Sequence, residues 1–188
     1  MEKITTHLTA AAIPTAPVLV LRPWMQADAI HLVELYRDAA MRRWNSVRIH
    51  DRAGAERWIQ EQRQGWETGE RRAFAVLEPG DGSADEQVVG HVVVKGALPG
   101  ATSAEVGYWT AARARGRGVA PRALEAVSGW AFDTFTDTGL RRLELVHQVD
   151  NRASCRVADK TRYAFASTIP AAPPEYPLDA HLHVRTHR

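Results

Sequence analysis

Six consecutive residues, Arg115-Gly116-Arg117-Gly118-Val119-Ala120, combine the groups that hold an anion. They lie between an apolar, strand-like run (Ala104 to Thr110) and an amphipathic, helix-like run (Pro121 to Phe135). The first amides of a helix have no internal partner, and the positive end of the helix dipole points the same way. The glycines let the main chain approach a ligand closely and adopt φ values denied to other residues. The arginines add charge that pairs with phosphate oxygens. Residue types and spacing together predict a phosphorylated ligand, although a glycine turn of this length also serves as a plain strand-to-helix connection.

Other reactive side chains carry less. Cys155 is the only cysteine, so no disulfide forms within the chain, as suits a reducing compartment. No histidine or aspartate stands beside it in sequence to make a nucleophilic triad, and it reads as a small, half-buried residue. His181 and His183 alternate on one strand face and His187 follows, but a metal site needs more ligands at suitable spacing, so no metal is expected. No Gly-x-x-x-x-Gly-Lys-Ser/Thr occurs, which counts against a P-loop nucleotide enzyme.

The elements that must position these groups follow from periodicity and punctuation. Residues 1–17 read as a flexible arm and 18–188 as one domain. Val18 to Arg22 reads as a strand stopped by Pro23. Asp28 is placed to cap a helix running to about Asp38. A second helix spans Ala53 to Trp66, with Trp58, Gln62 and Trp66 four apart on one face, and Gly69 ends it. Strands at Ala73–Leu77, Val88–Lys95 and Ala104–Thr110, separated by turns at 79–83 and Pro99-Gly100, predict an antiparallel meander. A helix from about Gly118 to Phe135, a β-rich run from Leu140 to Val149, a short helix from Asn151 to Lys160 and a last strand from His181 to Val184 complete the chain. The expected order, β-α-α-β-β-β-α-β-α-β, is an α/β (α+β) mixed sheet with helices on its faces.

Bulk properties narrow the function classes. The 188 residues suit one α/β domain, and 45% hydrophobic with 24% charged residues is ordinary for a globular protein. A formal charge of +2 is too small to argue for nucleic acid. Arg113, Arg115, Arg117 and Arg122 crowd one stretch, which predicts a local anion site rather than a basic face. No run is a membrane span; Pro14 and Pro17 interrupt the apolar stretch from Leu8 to Leu21, and Glu2 sits where a signal peptide would be basic. A cytoplasmic protein is expected.

Two blocks resemble one family. Glu105-Val106-Gly107-Tyr108-Trp109-Thr110 followed by Arg115 to Ala120 is similar to the acyl-CoA signature of the GNAT superfamily of N-acetyltransferases, in which Gln or Arg, two residues, Gly, one residue and Gly or Ala correspond to Arg115, Gly118 and Ala120. Asp150 to Lys160 resembles the Asn-x-x-Ser helix of the RimJ/RimL branch, which acetylates ribosomal-protein N-termini. The resemblance covers roughly Val18 to Tyr163 and implies the GNAT fold, with a mostly antiparallel central sheet. It implies acetyl-CoA as donor, pantetheine paired to the backbone of Tyr108, Trp109 and Thr110, pyrophosphate on the main chain of Arg115, Gly116, Arg117, Gly118, Val119 and Ala120, and Asn151 and Ser154 beside the pantetheine and sulfur. A homodimer is compatible with it.

Two positions depart from the pattern. Thr161, Arg162 and Tyr163 follow Lys160 where relatives carry Gly and Phe, which questions the helix exit. Pro121 replaces a residue that often offers phosphate an N–H or hydroxyl, leaving Arg122 or Arg115 to compensate.

The expected activity is acetyl transfer to a primary amine, a protein or peptide N-terminus or a small-molecule amine, by direct attack in a ternary complex. The amine must be neutral, the oxyanion needs an N–H donor such as a strand amide near Trp109, and the leaving thiolate benefits from a proton. By family position Ser154 is the proton donor. Glu105, sharing a strand face with Gly107 and Trp109, is the base, unless proximity and water suffice. Trp44, Trp58 and Trp66 are expected to pack the early helices on the sheet, with one lining the acceptor pocket. The rival expectation is a non-catalytic acyl-CoA-binding regulatory protein.

Overall fold

A computed structural model describes residues 6–45, 47–80, 86–174 and 177–187. The chain forms strands β1 (Leu8–Ala10) and β2 (Leu19–Pro23), then helices α1 (Ala29–Leu35), α2 (Ala39–Trp44) and α3 (Arg52–Thr68). Strands β3 (Arg71–Pro79), β4 (Glu86–Lys95) and β5 (Ser103–Thr110) follow, then α4 (Val119–Phe135), β6 (Arg142–Gln148), α5 (Arg152–Lys160), β7 (Ala164–Ile169) and β8 (Ala180–Thr186). The strands make one eight-stranded sheet in the order β1-β2-β3-β4-β5-β6-β8-β7. Every pairing is antiparallel except β5 with β6, which α4 connects. This is the mixed, mostly antiparallel architecture expected, with the predicted meander at β3-β4-β5.

Local chemistry sets the helix ends. Asp51 accepts the Gly54 amide (2.7 Å) to start α3, and Gly69 at φ 76° stops it. Ala55, Trp58, Ile59 and Gln62 form the buried stripe of α3, which packs on β3. Helix α4 packs over β4 and β5 through Val119, Ala123, Leu124 and Val127. The middle of β4, from Val88 to Val94, is buried at every position, so the sheet centre is covered on both faces.

The structure corrects four expectations. Asp28 does not cap α1: its carboxylate takes Arg22 in two 2.8 Å bonds and the Met25 amide at 2.8 Å, closing a 3-10 turn at 26–28. The single helix to Asp38 is two, because Asp38 accepts the Met41 amide (3.0 Å) and starts α2. Within the supposed flexible arm, Leu8–Ala10 pair with β2, and Arg122 holds the arm by bonds to the carbonyls of Ala11 (2.7 Å) and Pro17 (2.6 Å). The tail contributes two strands, since β7 precedes β8 as an exposed edge. Of the predicted turn at 79–83, residues 81–83 lie outside the described residues.

The helix exit questioned at Lys160 is made without glycine. Arg162 takes the left-handed conformation itself (φ 59°), and the next residue, Tyr163, is buried with its hydroxyl 2.7 Å from that of Ser128.

One irregularity matters for function. β5 and β6 pair only from Ser103↔Arg142 to Val106↔Leu145, whereas β5 continues to pair with β4 as far as Gly90↔Thr110. Beyond Val106 the two parallel strands splay, and the β5 edge from Gly107 to Thr110 is left open inside the sheet.

Candidate active site

A cleft of about 800 Å³ occupies the splay and runs to the N-terminus of α4. Its walls come from β3, β4, β5, α2, α3, the 115–121 turn, the end of β6 and one side of α5. The sequence-predicted residues Glu105, Tyr108, Trp109, Thr110, Arg115, Gly116, Gly118, Val119, Ala120, Asn151 and Ser154 all line it. Arg117 does not: it turns away to Glu78 (2.8 Å).

The turn presents bare main chain to the cleft. Gly116 and Gly118 both take left-handed conformations (φ 77° and 76°), which an L-side chain adopts only under strain. Gly118 is the N-cap of α4 and brings no side chain to satisfy the helix amides. The amides of Val119 and Ala120 therefore face the cleft end without helical partners, and Pro121 adds none.

The arginines are not the free cations the sequence suggested. Arg115 bonds the carboxylate of Asp38, Arg113 the carbonyl of Val88 (2.7 Å), and Arg122 the N-terminal carbonyls already described. Arg122 commits Nη2 to the fold, its buried Nε and Nη1 have no hydrogen-bond partner, and it does not line the cleft. The half-exposed Arg115 remains at the cleft. Arg156 and Lys160 on α5, which the sequence motifs do not single out, line the cleft and form no ion pair among the described residues. Their spacing of four on the last turns of a helix was the available signal.

The two faces of the opened sheet carry different chemistry. On one, Tyr108 projects from β5 toward Ser154, which is 8% exposed in the first turn of α5. Asn151 caps that helix by accepting the Ser154 amide (3.3 Å). The Tyr108 hydroxyl lies against the Ser154 hydroxyl but makes no well-formed hydrogen bond, and it is otherwise unpartnered and buried. Burial pushes the phenol up to about 12, so it stays protonated at neutral pH.

On the opposite face, Trp109 stacks on His91, its cross-strand partner, at 5.5 Å and 20°. Trp24 donates its indole N–H to His91 Nδ1 (3.0 Å), which leaves the ring proton on Nε2, and Trp58 packs edge-on at 5.5 Å. Burial drives the imidazole pKa down to about 3, so this ring is neutral at physiological pH. Nothing in the sequence distinguishes His91 from its valine neighbours. Glu105 lies on this face too, ion-paired to its cross-strand partner Lys95 and half-exposed. Trp44 and Trp58 line the cleft, whereas Trp66 packs on Phe74 (5.0 Å) and gives its N–H to the Ala73 carbonyl (2.9 Å).

A sheet opened between two parallel strands, leading to unpartnered amides at a glycine-capped helix, defines an acyl-CoA-type transferase fold. The sequence agrees: residues 19–163 match the family described as acetyltransferase (GNAT) domain. The chain belongs to the GNAT acetyltransferases, the family that takes its acetyl group from acetyl-CoA. No curated protein matches the chain in sequence.

Among solved structures, RimJ of Mycobacterium smegmatis in complex with CoA-disulfide is similar at TM-score 0.81 and 21% identity, over 96% of this chain and 87% of that one. A putative ribosomal-protein-serine acetyltransferase from Vibrio cholerae has TM-score 0.74 and 22% identity, over 95% and 97%. The Microcin C7 self immunity acetyltransferase MccE in complex with acetyl-CoA and AMP has TM-score 0.76 and 13% identity, over 94% and 99%. Among the described residues, no helix is long and apolar enough to cross a membrane.

Proposed function

We propose that the protein transfers an acetyl group from acetyl-CoA to a primary amine by direct attack in a ternary complex. The observation that carries this reading is the splay of β5 from β6, whose open edge runs toward the free amides of Val119 and Ala120. The open edge at Tyr108, Trp109 and Thr110 fits the amides of pantetheine. The main chain from Arg115 to Ala120 fits the pyrophosphate, and Arg115, Arg156 and Lys160 supply charge around it.

The thioester supplies an activated acyl carbon, and the chain's own residues manage protons and position. A strand amide near Trp109 stabilises negative charge on the carbonyl oxygen. Glu105, on the face of Trp109, takes the amine proton through water. When the carbon–sulfur bond breaks, the Ser154 hydroxyl gives the sulfur a proton as Tyr108 passes its own to Ser154. Solvent entering as coenzyme A leaves returns a proton to Tyr108, and Glu105 releases the amine proton to solvent. Acceptor and leaving group thus sit on opposite faces of the opened sheet, so the two proton transfers do not compete for one site.

The acceptor we favour is a protein or peptide N-terminus, which the RimJ and ribosomal-protein-serine neighbours support as analogy. Coenzyme A release against peptides and small amines tests both levels of the reading. Turnover on N-terminal peptides supports it. Turnover confined to small-molecule amines would move the acceptor, and tight acetyl-CoA binding with no turnover on any amine would leave a regulatory binding protein.

A further inference from the structure

Under α5, on the side of the sheet that carries Ser154, four side chains from three elements converge: His147 of β6, Cys155 of α5, and His181 and His183 of β8. The antiparallel register sets His147 directly opposite His181, and two-residue alternation brings His183 to the same face. Cys155 then descends from the helix between them. Its Sγ lies 3.7 Å from His147 Nε2 and 3.6 Å from His181 Nδ1. One potential ligand atom from each of the four residues falls within 4.8 Å of the other three, and among the described residues this is the one such group. Sequence spacing alone offers too few ligands for a metal. The fold supplies the missing two by strand pairing and by the helix crossing over them.

We propose that His147, Cys155, His181 and His183 form a structural zinc site. Zinc bonds of about 2.3 Å to sulfur and 2.0–2.1 Å to nitrogen make a tetrahedral S···N edge of about 3.5 Å. The two observed edges, 3.6 and 3.7 Å, already match it. The widest separation, 4.8 Å, must contract by about 1.3–1.5 Å to reach the tetrahedral S···N or N···N edge.

Two further observations point to a ligand. His147 gives its Nδ1 proton to the carbonyl of Gln148 (2.9 Å), which leaves Nε2 as the lone-pair nitrogen facing Cys155. His183 is 3% exposed, yet neither ring nitrogen has a hydrogen-bond partner. A buried imidazole without partners carries a desolvation cost that coordination relieves. Phe165 packs edge-on against His181 (5.3 Å) and His183 (5.7 Å). One thiolate and three neutral imidazoles suit a borderline-soft, tetrahedral ion, and four protein ligands close the site to substrate. Binding converts the Cys155 thiol to thiolate and releases its proton to solvent, with no change of oxidation state. The bond would tie α5, and Ser154 next to Cys155, to β6 and β8.

Cobalt(II) titration of the chelator-treated full chain, without coenzyme A, tests the site. The wild type should bind one equivalent with a thiolate-to-cobalt charge-transfer band and the intense visible bands of tetrahedral cobalt, and zinc should abolish both. Cys155→Ser should lose the charge-transfer band, and His183→Asn should weaken binding at least a hundredfold. Zinc should also raise the melting temperature of the wild type but not of Cys155→Ser. A wild-type protein that binds neither ion stoichiometrically, or a cobalt spectrum unchanged in Cys155→Ser, overturns the proposal. The readout is independent of acetyl transfer, so either reading can fail alone.

Discussion

The carboxylate of Asp38 serves two elements: it accepts the Met41 amide at 3.0 Å to start α2, and it holds the guanidinium of Arg115 in the glycine turn before α4. The Arg115 hydrogen bond, with smaller help from the Met41 and Ala40 amides, holds the Asp38 carboxyl below the usual range despite some desolvation. The charge of Arg115 is therefore compensated within the fold, and the proposed phosphate would have to displace Asp38. Because the pair is partly exposed, exchanging Asp38 for a phosphate costs little.

Asp38→Asn keeps the cap, since asparagine is as good an N-cap, but removes the competing charge. Coenzyme A should bind roughly two- to tenfold tighter, with a steeper dependence on salt. Calorimetric titration at two ionic strengths checks this. Weaker binding in a variant with normal helix content would show that the ion pair organises the turn instead.

Gly118→Val places a β-branched residue where φ is 76°, a conformation that costs an ordinary L-residue about 1–2 kcal/mol and valine more. The turn should rotate the Val119 and Ala120 amides away from the cleft. Affinity for coenzyme A should fall by at least tenfold while the fold persists. An unchanged dissociation constant in a folded variant would sink the assignment of this turn to phosphate.

Ser154→Ala should lower kcat by at least tenfold while changing donor affinity less than threefold, as expected when the group removed is a proton donor rather than a binding group. Tyr108→Phe should lower kcat in the same direction, and the double variant should lose little more than the worse single one, as the proposed relay through both hydroxyls requires. Steady-state kinetics with direct binding measurements decide it. Multiplicative losses would place the two hydroxyls in separate roles.

What the sequence made legible is what acts over short range. Gly116, Gly118 and the apolar runs around them announce a strand, a turn and a helix, and Asn151 three residues before Ser154 announces a capped one. Long-range partners were not legible. Nothing near Arg115 or Arg117 shows that Asp38 and Glu78 claim them, and nothing near Cys155 shows that His147 and His181 flank it. Those meetings depend on strand register and on a helix crossing. Strands β1 and β7 were missed because three residues, or an exposed edge beside a proline-rich tail, leave no alternating pattern strong enough to read.

Arg162 is a local exception. It holds φ 59° at the exit of α5 and bonds Glu125 (3.0 Å), which Arg185 also grips at 2.7 and 3.0 Å. Arg162→Gly removes the left-handed strain and sacrifices one exposed ion pair whose contribution is small. The variant should be more stable by about 0.5–1 kcal/mol, read from urea midpoints at unchanged m-value. A loss of stability would mean that the Glu125 network outweighs the backbone strain.

The buried His91 gives stability a defined acid limb. Its folded pKa, lowered chiefly by burial and further by Arg71 and Lys95, is about 3, below its ordinary 6.5. Between those values the unfolded chain binds the proton and the folded chain does not, so stability rises with pH through this window. The contribution is complete above about pH 6.5 and is lost as pH falls toward 3, reaching several kcal/mol at the bottom, on the order of what a shift of this size implies. His91→Phe keeps the stack on Trp109 but strands the Trp24 N–H, so it should be less stable at pH 7. Its stability should nonetheless fall less steeply from pH 6.5 to 4 than that of the wild type. Urea melts across that range would reject the assignment if both proteins show the same slope.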